Sequence, residues 1–272
     1  MLLVFSIMPP SSGRPKDGAA IIFEADAHVR LLVNRKFHDA SKEVQVDEFG
    51  LVLVAGWPPN KDKIGPPYQQ LLEIVRSCFD EVDLSGPDAA VYLYSPEYLH
   101  VTVATLHAFT LGTKTKAERE NLKRHWTAVV KAAAKRPDWP KEPFQLEIES
   151  SQIGTKAGIL LWKETTGGMD QMRRCIDEQV LQNGESLKAA GIDRSTLSIP
   201  GITHSTFLRF NKVPNTSGEM VQSRYKELVA PKLAQLFSEP LTLTDARFIC
   251  ERIPYMHIPN DKDHVLDVFE LR

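Results

Sequence analysis

The chain has 272 residues, 42% of them hydrophobic and 25% charged, with a formal net charge of −2 and an isoelectric point near 6.5. This is the composition of a globular protein with enough chain to bury a full core. It excludes the strong basic field that holds long duplex nucleic acid through its phosphates, so a nucleotide or a nucleic-acid end is the expected partner.

The apolar start, Met1 to Met8, is too short to span a bilayer and lacks the charged flank of a signal peptide. Pro9-Pro10 follows at once, so a cytoplasmic or nuclear protein without a membrane association is expected, and a monomer. Residues 1–48 read as an N-terminal extension of uncertain structure. Within it Ala20 to Phe23 suggests a short strand, and Val29 to Val33 a strand or the start of a helix. Gly50 to Ala55 is a continuous apolar run rich in β-branched residues and stopped by Trp57-Pro58-Pro59, which predicts a buried strand. Tyr68, Leu71, Leu72, Val75 and Phe79 recur at helical spacing, predicting an amphipathic helix over 67–80. Ala90 to Tyr94 and Leu99 to Leu106 read as strands around the turn Ser95-Pro96-Glu97. Lys116 to Lys135 reads as a helix, and Phe144 to Glu149 alternates as a half-exposed strand does.

The same order then begins again. Gly158 to Trp162 is a buried strand, and Met169, Met172, Ile176 and Val180 mark a helix. Thr203 to Phe210 is a strand, and 218–236 a helix bent at Pro231; Leu241 to Ile249 and Val265 to Leu271 supply closing strands. The repeat of strand, helix, strand, helix, strand predicts an α+β fold. It is bilobal and internally duplicated, with two antiparallel sheets lining a central cleft and helices outside. The expected domain is 49–272, with one lobe over about 49–150, the other over about 151–272, and closing strands free to cross between them. Cys78, Cys175 and Cys250 form no C-x-x-C pair and read as buried thiols.

Two short stretches sit at matching places in the repeat: His100-Val101-Thr102-Val103 and His204-Ser205-Thr206-Phe207. Side chains alternate along a strand, so each offers an imidazole and a hydroxyl on one face. The pattern alone is weak, because His125-Trp126-Thr127-Ala128 also matches it. His125 falls in a predicted helix, however, where positions two apart point to different sides. Two imidazoles supply the base and the acid that in-line cleavage of a phosphodiester needs near neutral pH, without a metal or other cofactor. Two threonine hydroxyls can donate to the non-bridging oxygens as charge builds there.

On these motifs the chain resembles the two-histidine (2H) phosphoesterases. That family includes LigT-like RNA 2′,3′-cyclic phosphodiesterases, kinase-anchoring-protein-like domains and RNA 3′-end-trimming exonucleases. The resemblance extends over about 50–271. It implies catalytic His100 and His204, substrate-binding Thr102 and Thr206, and metal-independent hydrolysis of 2′,3′-cyclic, 2′-5′ or 3′-5′ phosphodiesters in nucleotides or RNA ends. The alternative is a binding module that holds a nucleotide or RNA end in the same cleft without cutting it. Which histidine is base and which acid is open in the sequence.

Alternation also puts Tyr98 on the face of His100 and Phe210 on the face of His204, where either ring could stack on a base. It puts Arg209 on the opposite face and Lys212 in a turn, so both read as solvated charges. His28, His38, His107, His257 and His264 have no metal-like spacing and read as surface or packing residues. Gly167-Gly168 reads as a helix-entry turn.

Overall fold

A computed structural model describes residues 21–30, 32–33, 49–111 and 115–271. Most of the N-terminal extension, including Met1 to Met8, Ala20 and His38, lies outside the described residues. Where it is described, Ile21 to Phe23 is not a strand, although Ile21 and Phe23 are buried.

Two antiparallel sheets carry the fold. The first holds β3 (Val101–His107), β1 (Gly50–Ala55), β8 (Asp245–Glu251) and β9 (Val265–Glu270), in that order. The second holds β2 (Val91–Leu93), β6 (His204–Phe210), β5 (Ala157–Glu164), β4 (Phe144–Ile153) and β7 (Leu241–Leu243). The duplication is visible in this order, with an exchange built into it. β1 pairs with β3, and β5 pairs with β6, as equivalent neighbours. The third strand of each half then leaves its own half: β4 pairs with β5, and β8 pairs with β1. The sheets are therefore not the two halves of the sequence, since each draws strands from both.

The helices are α1 (Lys61–Arg76), α2 (Glu81–Leu84), α3 (Lys116–Ala134), α4 (Gly168–Gln182), α5 (Gly184–Ala189), α6 (Gly218–Leu228) and α7 (Leu233–Leu236). α1 starts six residues before the sequence reading and carries Pro66 and Pro67 inside it. Its start is fixed by Asn60, whose side chain accepts from the Asp62 and Lys63 backbone amides. α3 begins with a reciprocal capping box between Thr115 and Glu118. The stretch over 218–236 is broken, with a 3-10 turn at Ala230–Lys232 between α6 and α7, because Pro231 cannot donate to the helix ladder. The 183–200 connection holds α5 and a 3-10 turn at Arg194–Thr196.

Leu51, Leu53 and Ala55 of β1 join a core shared with Tyr68, Leu71 and Val75 of α1 and Trp126 and Val130 of α3. Val52 and Val54, on the other face, form a second cluster with Trp57, Met256 and Ile258. The loop between β8 and β9 thus folds back over the face of the first sheet to which Thr102, the partner of Val54, also belongs. No helix among the described residues is long and apolar enough to cross a membrane.

Candidate active site

His100 immediately precedes β3, and His204 opens β6. His100, Thr102, His204 and Thr206 are each half-buried, while Val101, Val103, Ser205 and Phe207 between and after them are buried. Alternation holds through the motifs. It then breaks in both strands at the same point. In the β1–β3 ladder Val54 faces Thr102 and Leu53 faces Ala104, so Val103 is an extra residue. In the β5–β6 ladder Ile159 faces Thr206 and Gly158 faces Leu208, so Phe207 is extra. Each motif therefore ends on a β-bulge at its fourth residue, which reverses the facing of the residues that follow it, to Phe210 in β6 and as far as a second irregularity at Leu106 in β3. A Cβ on Gly158 would lie 2.6 Å from the Phe207 ring and 2.7 Å from Leu208 Cγ, so glycine makes room for the second bulge.

The bulge corrects two sequence expectations. Phe210 is fully buried, packed against Phe23 with ring centroids 4.4 Å apart, and offers no face to a substrate. Arg209 instead takes the facing of His204 and Thr206. It is not a solvated charge: Nε donates to the Tyr94 hydroxyl at 3.1 Å and Nη1 to Asp26 Oδ2 at 3.2 Å. Tyr98 is not on a strand at all but closes the 3-10 turn Pro96–Tyr98. Its ring lies against the His257 imidazole, with centroids 4.1 Å apart, and its carbonyl serves His100. His125 is in α3, its Nδ1 on the Asn121 carbonyl, outside the site.

Nδ1 of His100 lies 2.8 Å from the Tyr98 carbonyl, which fixes the tautomer with the proton on Nδ1 and leaves Nε2 as the lone pair. Burial pushes the His100 pKa down to about 4, against the Tyr98 hydrogen bond, with His204 and Arg209 adding to the drop. Burial also lowers the His204 pKa, helped by Arg209 and Arg173. The two imidazoles are thus within each other's electrostatic reach and within that of Arg209, and both are neutral in the free protein at pH 7. Nδ1 of His204 has no hydrogen-bond partner among the described residues. The Ile202 carbonyl beside it works against the fall in the His204 pKa, and the same carbonyl accepts from Arg173 Nη2 at 2.9 Å. Neither the Thr102 nor the Thr206 hydroxyl is committed to a partner among the described residues.

Arg173, on α4, is the residue most hidden from sequence reading. Its side chain is 8% exposed, and Nη2 donates to the Thr102 carbonyl at 3.2 Å as well as to Ile202. One guanidinium therefore touches both motif-bearing segments. His257 is buried, with Nδ1 2.9 Å from the Tyr255 carbonyl, and burial holds its pKa down at about 3. It affects His100 electrostatically, so a third imidazole borders the site. It packs, as the sequence suggested, but beside the cleft. Among the described residues no cluster of His, Cys, Asp and Glu has the makings of a metal site.

No protein-family model matches the chain, and no curated protein does. Among solved structures it is similar to LigT of E. coli complexed with 3′-AMP, at 13% identity and a TM-score of 0.45 over 82% of this chain and 98% of that one. It is similar to TT0787 of Thermus thermophilus, at 14% identity and a TM-score of 0.40 over 82% and 98%. It is also similar to Usb1 of Kluyveromyces marxianus with uridine monophosphate, at 10% identity and a TM-score of 0.45 over 83% and 98%.

Proposed function

We propose that the chain is a 2H phosphoesterase that hydrolyses a phosphodiester in a nucleotide or RNA end, with His100 and His204 as the acid–base pair and Thr102 and Thr206 as phosphate-oxygen donors. The observation that carries this reading is the matched pair of motifs. Each places a half-buried histidine and threonine on one face and ends on the same bulge, and the two imidazoles are in electrostatic contact.

On a 2′,3′-cyclic phosphate the neutral imidazole accepts a proton from water as its oxygen bonds to phosphorus. The protonated imidazole gives its proton to the 2′ or 3′ oxygen as the ring P–O bond breaks, and the product is a phosphomonoester. On a linear 3′-5′ link the ribose 2′-hydroxyl takes the place of water and the 5′ oxygen leaves. Both imidazoles are neutral in the free site, so the bound phosphate anion supplies the counter-charge that lets one of them keep a proton. The two free threonine hydroxyls face the negative charge that grows on the non-bridging oxygens. Neither proton transfer calls for a metal.

The test is a panel of 2′,3′-cyclic nucleotides, 2′-5′ and 3′-5′ dinucleotides and short RNA with defined ends, assayed with and without a chelator. Turnover of at least one class, indifferent to chelator, is expected. A protein that binds nucleotide and releases no product from any of them is a binding module instead.

A further inference from the structure

Arg209 owes its place to the Phe207 bulge, and what surrounds it goes beyond the two motifs. Its guanidinium is gripped on three sides. Tyr94 accepts from Nε, Asp26 from Nη1, and the Tyr255 ring lies flat against it with Cζ 3.9 Å from the centroid. The Tyr255 hydroxyl donates to the same Asp26 oxygen, closing the arrangement. Nη2 has no partner among the described residues, and the side chain keeps 22% of its surface exposed. We propose that Arg209 is the fixed cation of the cleft, binding a non-bridging phosphate oxygen through its free Nη2 edge, and that Asp26 and Tyr255 are the positioning residues that aim it. This rests on the phosphodiesterase reading only in placing a phosphate beside the imidazoles.

Three further observations support it. The first is charge balance. The groups within reach of Arg209 are His100, His204, His257, Glu251, Asp26, Tyr94 and Tyr255. Burial raises the pKa of Glu251 to about 7, and Asp26 is the carboxyl in direct contact with the guanidinium. Burial also works against the charge on Arg209, yet Tyr94, Tyr255 and Asp26 outweigh it, so the guanidinium stays charged. A cation beside two imidazoles, one of which must carry a proton during catalysis, is a cleft short of one anion.

The second is the backbone of the loop that delivers Tyr255. Tyr255 and Met256 have φ of 60° and 62°, a left-handed conformation that costs non-glycine residues about 1–3 kcal/mol each. It is held by the Met256 amide on Glu251 Oε1 at 2.7 Å and by burial of the Met256 side chain. The third is the source of Asp26, which comes from the segment preceding the repeat. That segment is tied down by the Glu24 amide on the Thr155 carbonyl and the Asp26 amide on the Phe210 carbonyl, each at 2.8 Å. The region before β1 therefore contributes a carboxylate to the cleft.

The experiment titrates inorganic phosphate into the wild type, Arg209→Met, Arg209→Lys and Asp26→Asn by calorimetry near pH 6. The His100 and His204 ring protons are followed by NMR, and turnover is assayed on a 2′,3′-cyclic nucleotide. Phosphate affinity is expected to fall tenfold or more in Arg209→Met, to recover in part in Arg209→Lys, and to fall less in Asp26→Asn. Both imidazole pKa values should rise in Arg209→Met and stay near the wild type in Arg209→Lys, which a purely structural role would not produce. If Arg209→Met does not fold, a threefold or greater loss in both Arg209→Lys and Asp26→Asn upholds the proposal, and wild-type affinity in both overturns it. Affinity within twofold of the wild type in a folded Arg209→Met, or a wild type that binds no phosphate, overturns it as well. Phosphate binding that depends on Arg209 in a protein without turnover would uphold Arg209 and sink the catalytic reading, while turnover indifferent to Arg209→Met would do the reverse.

Discussion

The Arg173 guanidinium donates to the Thr102 carbonyl at 3.2 Å, and so a helix that follows β5 is tied to a strand of the other sheet. Since the same nitrogen also holds Ile202, two residues before His204, the spacing of the two motifs is set in part by this side chain. Arg173→Ala is expected to destabilise the protein by roughly 1.5–3 kcal/mol, because the Thr102 and Ile202 carbonyls lose a shared charged donor. Arg173→Lys, whose single ammonium cannot reproduce a planar fork, should retain fold better than activity. Urea unfolding paired with turnover checks this. Equal loss of stability and activity in both variants would show that Arg173 serves the core alone.

Replacing either motif histidine removes one of two proton transfers. His100→Ala and His204→Ala should each lower kcat by about 10²–10⁴-fold, and the double variant by little more than the worse single one, because the pair acts as a unit. Both are half-buried, so melting temperatures should stay close to the wild type. Wild-type kcat in either variant would end the proposed mechanism.

Gly158 makes a sharper test of the bulge than any residue in the motif. A methyl there meets the Phe207 ring and Leu208, so Gly158→Ala should cost about 1–3 kcal/mol and disturb the strand that carries His204, Thr206 and Arg209. Gly201, an exposed loop glycine with nothing within 4 Å of its added Cβ and no positive φ, is the control: Gly201→Ala should stabilise by roughly 0.4–1 kcal/mol. Thermal melts of the two variants should move in opposite directions.

Acid should weaken the fold before it protonates ordinary carboxylates. His100 and His257 have folded pKa values of about 4 and about 3, below the ordinary 6.5, so the unfolded chain binds their protons first. Their contribution is complete above pH 6.5 and is lost as pH falls towards the folded values. Glu251 works the other way. Its pKa of about 7 means stability present below pH 4.5 and lost as pH rises through 7. Between pH 6.5 and 4.5 the histidines outnumber Glu251, so stability falls on acidification, His257 alone accounting for up to roughly 4 kcal/mol by pH 3. His257→Phe keeps a ring against Tyr98 and should flatten the melting temperature across pH 7 to 4.5. An unchanged slope would mean that His257 is protonated in the fold.

Most strands and helices were legible because their periodicity is strong, and the motif histidines because strand alternation and the repeat agreed on them. What alternation could not carry was the residue after the threonine. Val103-Ala104 and Phe207-Leu208 are consecutive apolar pairs in otherwise alternating strands, and that doubling is the local signal of a bulge. Missing it sent Phe210 to the cleft and Arg209 away from it. Arg173, Asp26, Tyr255 and His257 lacked even that signal. They reach the site from a helix, an N-terminal segment and a loop whose positions depend on tertiary packing, and no spacing relates them to the motifs.

The exchange of third strands has a mechanical consequence. Each sheet is completed by a strand from the opposite half, β8 beside β1 and β4 beside β5, so neither half can fold alone with its central strand paired on both edges. Pulling the lobes apart would mean stripping two long-range antiparallel ladders at once. Polypeptides cut between β4 and β5 should accordingly be inert as separate pieces and regain their structure only on mixing.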